Sequence, residues 1–198
     1  MNKALVAYTT NSGSTEDIAR KVAEELGRNG AQVDLIRLEQ VTDFTGYDLV
    51  IVGAPMILGW HRGARKFIQQ HQAALSRVPV AYFAAAMSLT KTGETQIDSV
   101  PIYVDPGLAK PPKNTARLSF RENYATTKRY FLPVLKVANQ IKPVSIAFFG
   151  GKLELFRLPV FQMLFVMLVV QAQPGDLRNW PAVREWAANL RSTLLDLG

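Results

Sequence analysis

Short apolar runs alternate with amphipathic stretches along the N-terminal half of the chain, and few folds are compatible with that order. Runs typical of strands cover residues 4–8, 33–38, 49–52 and 78–86. Helical spacing of apolar residues indicates helices over residues 16–28 and 64–75. Strands separated by helices form parallel βαβ units, and the almost uncharged run 78–86 is typical of a strand buried on both faces. The pattern therefore predicts an α/β fold with a doubly wound parallel sheet.

The second half of the chain interrupts this rhythm twice. Residues 88–121 carry four prolines and scattered lysines, which favours a long connection over a packed element. Regularity returns with a predicted helix over 123–140, a strand over 144–149 that ends at Gly150-Gly151, and a final helix over 181–195. We therefore predict one domain over residues 1–198, with insertions at about 88–121 and 152–175.

Composition limits which cofactors and partners the chain can have. The 198-residue chain has no cysteine and two histidines, which excludes thiolate sites and disulfides and argues against a metal centre. Its net charge of +7 favours an acidic partner, but it lacks an arginine-rich tract or zinc-finger spacing, so no nucleic acid is expected. The N-terminus lacks the pattern of a secretory signal, so a cytoplasmic location is expected.

The sequence TNSGST, residues 10–15, lies between the first predicted strand and the first predicted helix. A helix N-terminus at the carboxyl end of a strand presents free amides and a positive dipole, where a phosphate binds well. Gly13 lets the backbone turn, and the neighbouring hydroxyls can donate hydrogen bonds. Neither GxxxxGK[ST] nor GxGxxG is present, which argues against ATP and dinucleotides. The alternative is that Ser14 or Thr15 simply caps the helix.

The segment ALVAYTTNSGSTEDIARKVAEEL resembles the start of a flavodoxin, in which a loop [ST]-x-[ST]-G-x-[ST] binds the phosphate of FMN. YDLVIVGAPMILGWHRG resembles the third strand and second flavin loop of that family, and a third flavin segment follows its fourth strand. The resemblance implies that FMN is held by three groups of residues. These are Thr10, Asn11, Ser12, Gly13, Ser14 and Thr15; Pro55, Met56, Ile57, Leu58, Gly59 and Trp60; and Ala85, Ala86, Met87 and Ser88.

The same resemblance implies a flavodoxin-like sheet of five parallel strands in the order 2-1-3-4-5, with helices on both faces. Small electron carriers of this family are acidic and stack aromatic side chains on the flavin. Here the chain is basic, Ile57 lies near the expected aromatic position, and no tyrosine follows the fourth strand. Trp60 is left either to stack on the flavin or to be buried against the loop.

A narrower resemblance is to the menaquinone-dependent protoporphyrinogen dehydrogenase family. It rests on FFGGKLELFRLPVFQMLFVMLVVQAQPGDLRNWPAVREWAANL and on YDLVIVGAPMILGWHRGARKFIQQHQAAL. It implies an FMN-dependent oxidoreductase that passes electrons from a protoporphyrinogen-like donor to a quinone or another redox partner. No side chain indicates a catalytic acid or base. The alternatives are a flavodoxin-type electron-transfer protein and a binding module of this fold without FMN.

Residues 158–170 are continuously apolar but too few to cross a bilayer. They are predicted to form either a core or dimer contact, or a surface that meets a membrane or a quinone. His61 has two possible roles, a contact with the flavin or a solvated position in the loop, and His71 is expected at the surface. Several cations of the first insertion are candidates for binding substrate carboxylates if that segment folds over the flavin.

Overall fold

The computed structural model describes residues 2–28, 30–57, 59–114, 116–153 and 175–195. The predicted residue Leu58 and the apolar segment 158–170 lie outside these ranges. In the part of the chain that is described, no helix has the length and apolar character needed to cross a membrane.

The centre of the fold is a sheet of seven strands in the order β2-β1-β3-β4-β9-β7-β6. All neighbours pair in parallel except β6 and β7. Its strands are β1 (Lys3–Tyr8), β2 (Gln32–Arg37), β3 (Leu49–Pro55), β4 (Val80–Ala86), β6 (Gln96–Ile97), β7 (Val100–Val104) and β9 (Ser145–Gly150). Two small ladders lie outside it, β5 (Leu89–Thr90) with β8 (Ala109–Lys110) and β10 (Lys152–Leu153) with β11 (Gly175–Asp176).

Helices cover both faces of the sheet, as predicted. The helices are α1 (Ser14–Gly27), α2 (Arg62–Gln70), α3 (Gln72–Leu75), α4 (Phe120–Tyr124), α5 (Thr127–Val137) and α6 (Trp180–Leu195), with a short 3₁₀ turn at Leu38–Gln40. Leu5 and Ala7 of β1 point towards α2, α3 and α5, whereas Ala4 and Val6 point towards α1 and α6. This alternation along β1 buries each side of the strand in a separate apolar layer.

The prediction of five strands was wrong in number, although the order of the five predicted strands is correct. Residues 88–121 were predicted to be a connection, but they supply β7, which pairs with β9 through Ile102 and Ile146, and β6 beyond it. Pro101 hid this strand because proline is uncommon inside sheets; it is tolerated here near the sheet edge, opposite Gln96 of a two-residue strand.

The helix predicted over residues 123–140 is two helices, α4 and α5. Ser119 begins α4 with a capping box in which Glu122 bonds back to the Ser119 backbone, and the Thr126 hydroxyl caps α5. Because each cap starts a new helix, the chain turns between Tyr124 and Thr127 instead of continuing straight.

Candidate functional site

The TNSGST segment forms a tight loop between β1 and α1. The Thr9 amide donates to the Gly53 carbonyl (3.0 Å), so the loop starts at the carboxyl edge of the sheet. Gly13 is the N-cap of α1 with φ 92°, a left-handed conformation that glycine adopts without strain. Its amide donates to the Thr10 hydroxyl (2.9 Å), which fixes the turn and leaves the hydroxyl proton of Thr10 free to donate.

The hydroxyls of this loop do not cap the helix, so the capping alternative was wrong. The N-cap is Gly13, which has no side chain with which to cap the first turn. Ser14 Oγ instead accepts from the Lys152 amide (2.8 Å), and Thr15 is only 1% exposed. The N-cap residue therefore leaves the positive end of the helix dipole uncapped.

The two acidic residues in the first turn of α1 are both paired with arginines. The Asp17 carboxylate accepts from Arg178 Nη1 (2.6 Å), and Arg178 also binds Asp176 and lies over the Trp180 ring. Glu16 contacts Arg20 (3.3 Å) and Arg37 (3.4 Å). The negative charge near the loop is thus balanced, so repulsion from these carboxylates does not prevent an anion from binding at this helix N-terminus.

The loop after β3 is closed by its own backbone. The Ile57 amide donates to the Gly59 carbonyl (3.0 Å), Gly59 has φ 117°, and Met56 and Trp60 form an isolated antiparallel bridge. The Ile57 side chain is left 48% exposed. An aliphatic side chain therefore projects from this loop at the position where the aromatic was expected.

Trp60 belongs to the core. Of the two roles predicted for it, stacking on the flavin or burial against the loop, the structure therefore favours burial. The indole is 2% exposed, and its N–H donates to the Phe83 carbonyl (3.2 Å). Its ring packs against Tyr82 (5.3 Å between centroids) and Phe131 (5.2 Å). A ring enclosed in this way is not available to stack on a bound flavin.

Backbone hydrogen bonds bring the three predicted segments together. The Ala85 carbonyl accepts from the Met56 amide (2.8 Å), and the Ala86 carbonyl accepts from the Gly151 amide (2.8 Å). The next residue after Gly151, Lys152, binds Ser14 in the first loop. Ala85 and Ala86 are buried, whereas Met87 is half-buried and Ser88 is exposed. The loops after β1, β3, β4 and β9 thus form one connected rim at the carboxyl edge of the sheet.

The profile of the family described as "Flavodoxin domain" matches residues 5–178 of this chain. The chain belongs to the flavodoxin domain family. As a member of this family it is a flavoprotein oxidoreductase, and the class of its cofactor is a flavin.

Other comparisons agree with this assignment. The flavodoxin-family chain is 28% identical over 189 residues to protoporphyrinogen IX dehydrogenase [quinone] from Escherichia coli K12, covering 93% of this chain and 88% of that protein. A flavodoxin from the domain Archaea has a TM-score of 0.52 at 12% identity, covering 97% of this chain and 98% of its own. A Streptococcus pneumoniae flavodoxin has a TM-score of 0.51 at 14% identity, with 96% and 99% covered. The last two similarities show the fold.

Sequence reasoning missed a buried carboxylate behind the rim. Asp105 follows β7 and is fully buried. Its oxygens accept from the amides of Gly107 (2.8 Å) and Gly150 (3.3 Å) and from the Asn179 side chain (2.8 Å). Asn179 in turn caps α6 by accepting from the Ala182 amide. The short sequence Asp-Pro-Gly marks a turn, but nothing in it indicates partners 45 and 74 residues away.

The two histidines both have structural contacts. His61 is the N-cap of α2, and its Nδ1 accepts from the Gly63 amide (3.2 Å). His71, expected at the surface, is half-buried and packs against Phe44 and Phe67. Burial lowers the pKa of His61 below its usual 6.5, with Glu39 acting in the opposite direction.

We expect the His61 cap to make stability depend on pH. The pKa of His61 is lower in the folded protein than in the unfolded chain, so the unfolded chain takes up the proton first as the pH falls. The His61 contribution to the free energy of unfolding is therefore complete above about pH 6.5 and is lost as the pH drops towards the folded pKa. Denaturant unfolding between pH 5 and pH 8 tests this. His61→Asn keeps a capping side chain but does not titrate, so this part of the slope should vanish; an unchanged slope would exclude His61 as its source.

Proposed function

We propose that this protein binds FMN noncovalently at the rim and is an oxidoreductase that passes electrons from an organic, protoporphyrinogen-like donor to a quinone. The observation that carries the cofactor is the start of α1, where the N-cap is a glycine without a side chain and an added Cβ would meet none of the described atoms within 4 Å. Neutral amides and hydroxyls at a helix N-terminus are suited to a phosphate. We also propose that residues 1–198 form one domain.

The residues present fit FMN in two respects. Thr10, Ser12 and Ser14 are partly exposed hydroxyls beside the open helix end, and the surrounding acids are paired with arginines. The segments 55–59 and 85–88 would flank the isoalloxazine, with the exposed Ile57 side chain as an apolar contact. Thr15, being buried, would contribute its backbone amide and not its hydroxyl. Bound FMN would supply the redox chemistry, taking two electrons from the donor and passing them to the acceptor.

The finer assignment of donor and acceptor has two supports. One is the similarity to the Escherichia coli protoporphyrinogen IX dehydrogenase, which extends over nearly the whole chain. The other is the net charge of +7, which favours an anionic substrate such as a tetrapyrrole carboxylate. No described side chain needs to act as an acid or base for this function; the protein's part is to anchor the phosphate and limit access to the ring.

Thr10→Ala and Ser12→Ala are each expected to weaken FMN binding about tenfold, because each removes one hydrogen bond to a charged group, worth roughly 1.5 kcal/mol. The measurement is FMN fluorescence quenching on titration with protein. Thr45→Ala, in the exposed turn before β3 and away from the loop, is the control and should bind FMN like the wild type.

Three results separate the proposed function from its alternatives. Retained FMN with turnover of protoporphyrinogen by a quinone supports the proposal. Retained FMN that exchanges electrons only with a protein partner indicates a carrier. Failure of the wild type to retain FMN would identify a binding module of this fold and would overturn the proposal.

A further inference from the structure

A cavity of about 290 Å³ lies next to the third predicted flavin segment and is built mostly by the first insertion. Its apolar walls come from Leu89, Val104, Pro106 and Ala109. The lining also includes polar residues, among them the exposed Lys91 and the half-buried Glu94. A concave, mostly apolar site with a few polar groups is the usual form of a small-molecule site.

The walls of this cavity are fixed by hydrogen bonds from three different parts of the chain. The Thr90 amide donates to the Ala125 carbonyl (2.8 Å), and the Lys91 amide donates to the Lys110 carbonyl (2.8 Å). The Glu94 carboxylate accepts from the Thr127 hydroxyl (2.7 Å) at the start of α5. The cavity is therefore formed before any ligand binds, which lowers the entropic cost of binding.

The position of the cavity relates it to the rim. Leu89 is the residue directly after Ser88, the last residue of the third predicted flavin segment. Val104 is the last residue of β7, which runs parallel to β9 and hence to β4. Two strand spacings separate β4 from β7, about 10 Å. The cavity thus lies near the carboxyl edge of the sheet, where the flavin would lie.

The volume of the cavity limits the size of the ligand that it can hold. Small-molecule pockets usually have volumes of about 300–1,000 Å³, and this cavity of about 290 Å³ is at the lower end of that range. A cavity of this size suits a ligand of one or two fused rings better than the four linked rings of a tetrapyrrole. Apolar walls suit the ring faces, and the Lys91 ammonium can donate to a carbonyl oxygen of the ligand.

We propose that this cavity is the docking site of the quinone head group, whereas the larger organic donor binds elsewhere. This inference rests on the quinone-linked function proposed above. The quinone gains two electrons from the reduced cofactor and two protons from solvent at the open side of the cavity, and leaves as the quinol. The first insertion therefore selects the electron acceptor.

The test uses menadione, a soluble naphthoquinone, and measures its affinity by isothermal titration calorimetry with and without FMN. Ala109→Trp fills the cavity and is expected to weaken menadione binding at least tenfold. Ala73→Trp, at an exposed site on α3, is the matched control and should change nothing. Lys91→Ala changes an exposed side chain and keeps the test valid if Ala109→Trp does not fold. It should weaken binding roughly three- to tenfold, the range for one hydrogen bond, and Lys113→Ala should not.

A second readout separates this site from the flavin site. Reoxidation of the reduced protein by ferricyanide, which needs no apolar cavity, should be unchanged in Ala109→Trp while reoxidation by menadione slows. Equal menadione affinity in wild type and Ala109→Trp, or no menadione binding to wild type that retains FMN, overturns the cavity assignment and leaves the FMN proposal intact. Loss of FMN from the wild type with menadione binding that Ala109→Trp abolishes supports the cavity and contradicts the FMN proposal.

Discussion

Gly13→Val is expected to weaken FMN binding about 100-fold. Gly13 has φ 92°, a conformation that costs a residue with a side chain roughly 1–2 kcal/mol. An added Cβ would meet none of the described atoms within 4 Å, and the strain is relieved by movement of the loop. The helix amides then no longer converge on the phosphate. Loss of two hydrogen bonds of roughly 1.5 kcal/mol each corresponds to about two factors of ten.

The matched control is Gly46→Val. Gly46 has φ 79°, and an added Cβ there also meets nothing within 4 Å, but it lies in the exposed turn before β3. Both variants should lose a similar amount of stability in thermal unfolding, while FMN fluorescence quenching should weaken only in Gly13→Val. Equal FMN affinity in the two variants would mean that the phosphate does not bind at the start of α1.

The predicted part of the site could be read from the sequence because its signals are local. The order of strand, TNSGST and helix lies within some twenty residues, and parallel strands bring their carboxyl ends to one edge whatever follows. The order of the five main strands was predicted from the resemblance to the flavodoxin family, and the residues that carry this resemblance lie in short local segments.

The predictions that failed concern residues whose partners are distant in the sequence. The alternative in which Ser14 caps the helix was wrong because the partner of Ser14, the Lys152 amide, is 138 residues away in the sequence. Trp60 looked like a candidate for stacking because its loop position is local, whereas its burial depends on Tyr82 and Phe131. The strand β7 was hidden by Pro101 and is formed because β9 offers it an unpaired edge. Each of these depends on contacts between distant segments, which composition and periodicity do not report.

The buried carboxylate behind the rim shows how such a contact can join the insertion to the site. Asp105, at the end of the inserted strand β7, binds the Gly150 amide beside the rim and the Asn179 side chain that caps α6. Gly150 itself has no space for a side chain, since a Cβ there would lie 1.9 Å from the Leu177 carbonyl oxygen. One carboxylate therefore connects the first insertion, the end of β9 and the start of the last helix.

Asp105→Asn is expected to lower the free energy of unfolding by about 3 kcal/mol. The amide oxygen can keep its bonds to Gly107 and Asn179, but the amide nitrogen would face the Gly150 N–H, so two donors would meet in a fully buried position. Such an unsatisfied buried donor, together with loss of the charge-assisted bonds, costs a few kcal/mol. For a chain of this size, thermal unfolding should shift down by roughly 6–12 °C.

The matched control is Asp98→Asn, the same chemical change at an exposed residue whose φ of 51° asparagine also tolerates. Its unfolding temperature should stay within about 2 °C of the wild type, since exposed substitutions rarely exceed roughly 0.5 kcal/mol. If Asp105→Asn were as stable as Asp98→Asn, the charge and hydrogen bonds of the Asp105 carboxylate would not contribute to stability. The pairing of β7 with β9 would then be sufficient to hold the first insertion in place.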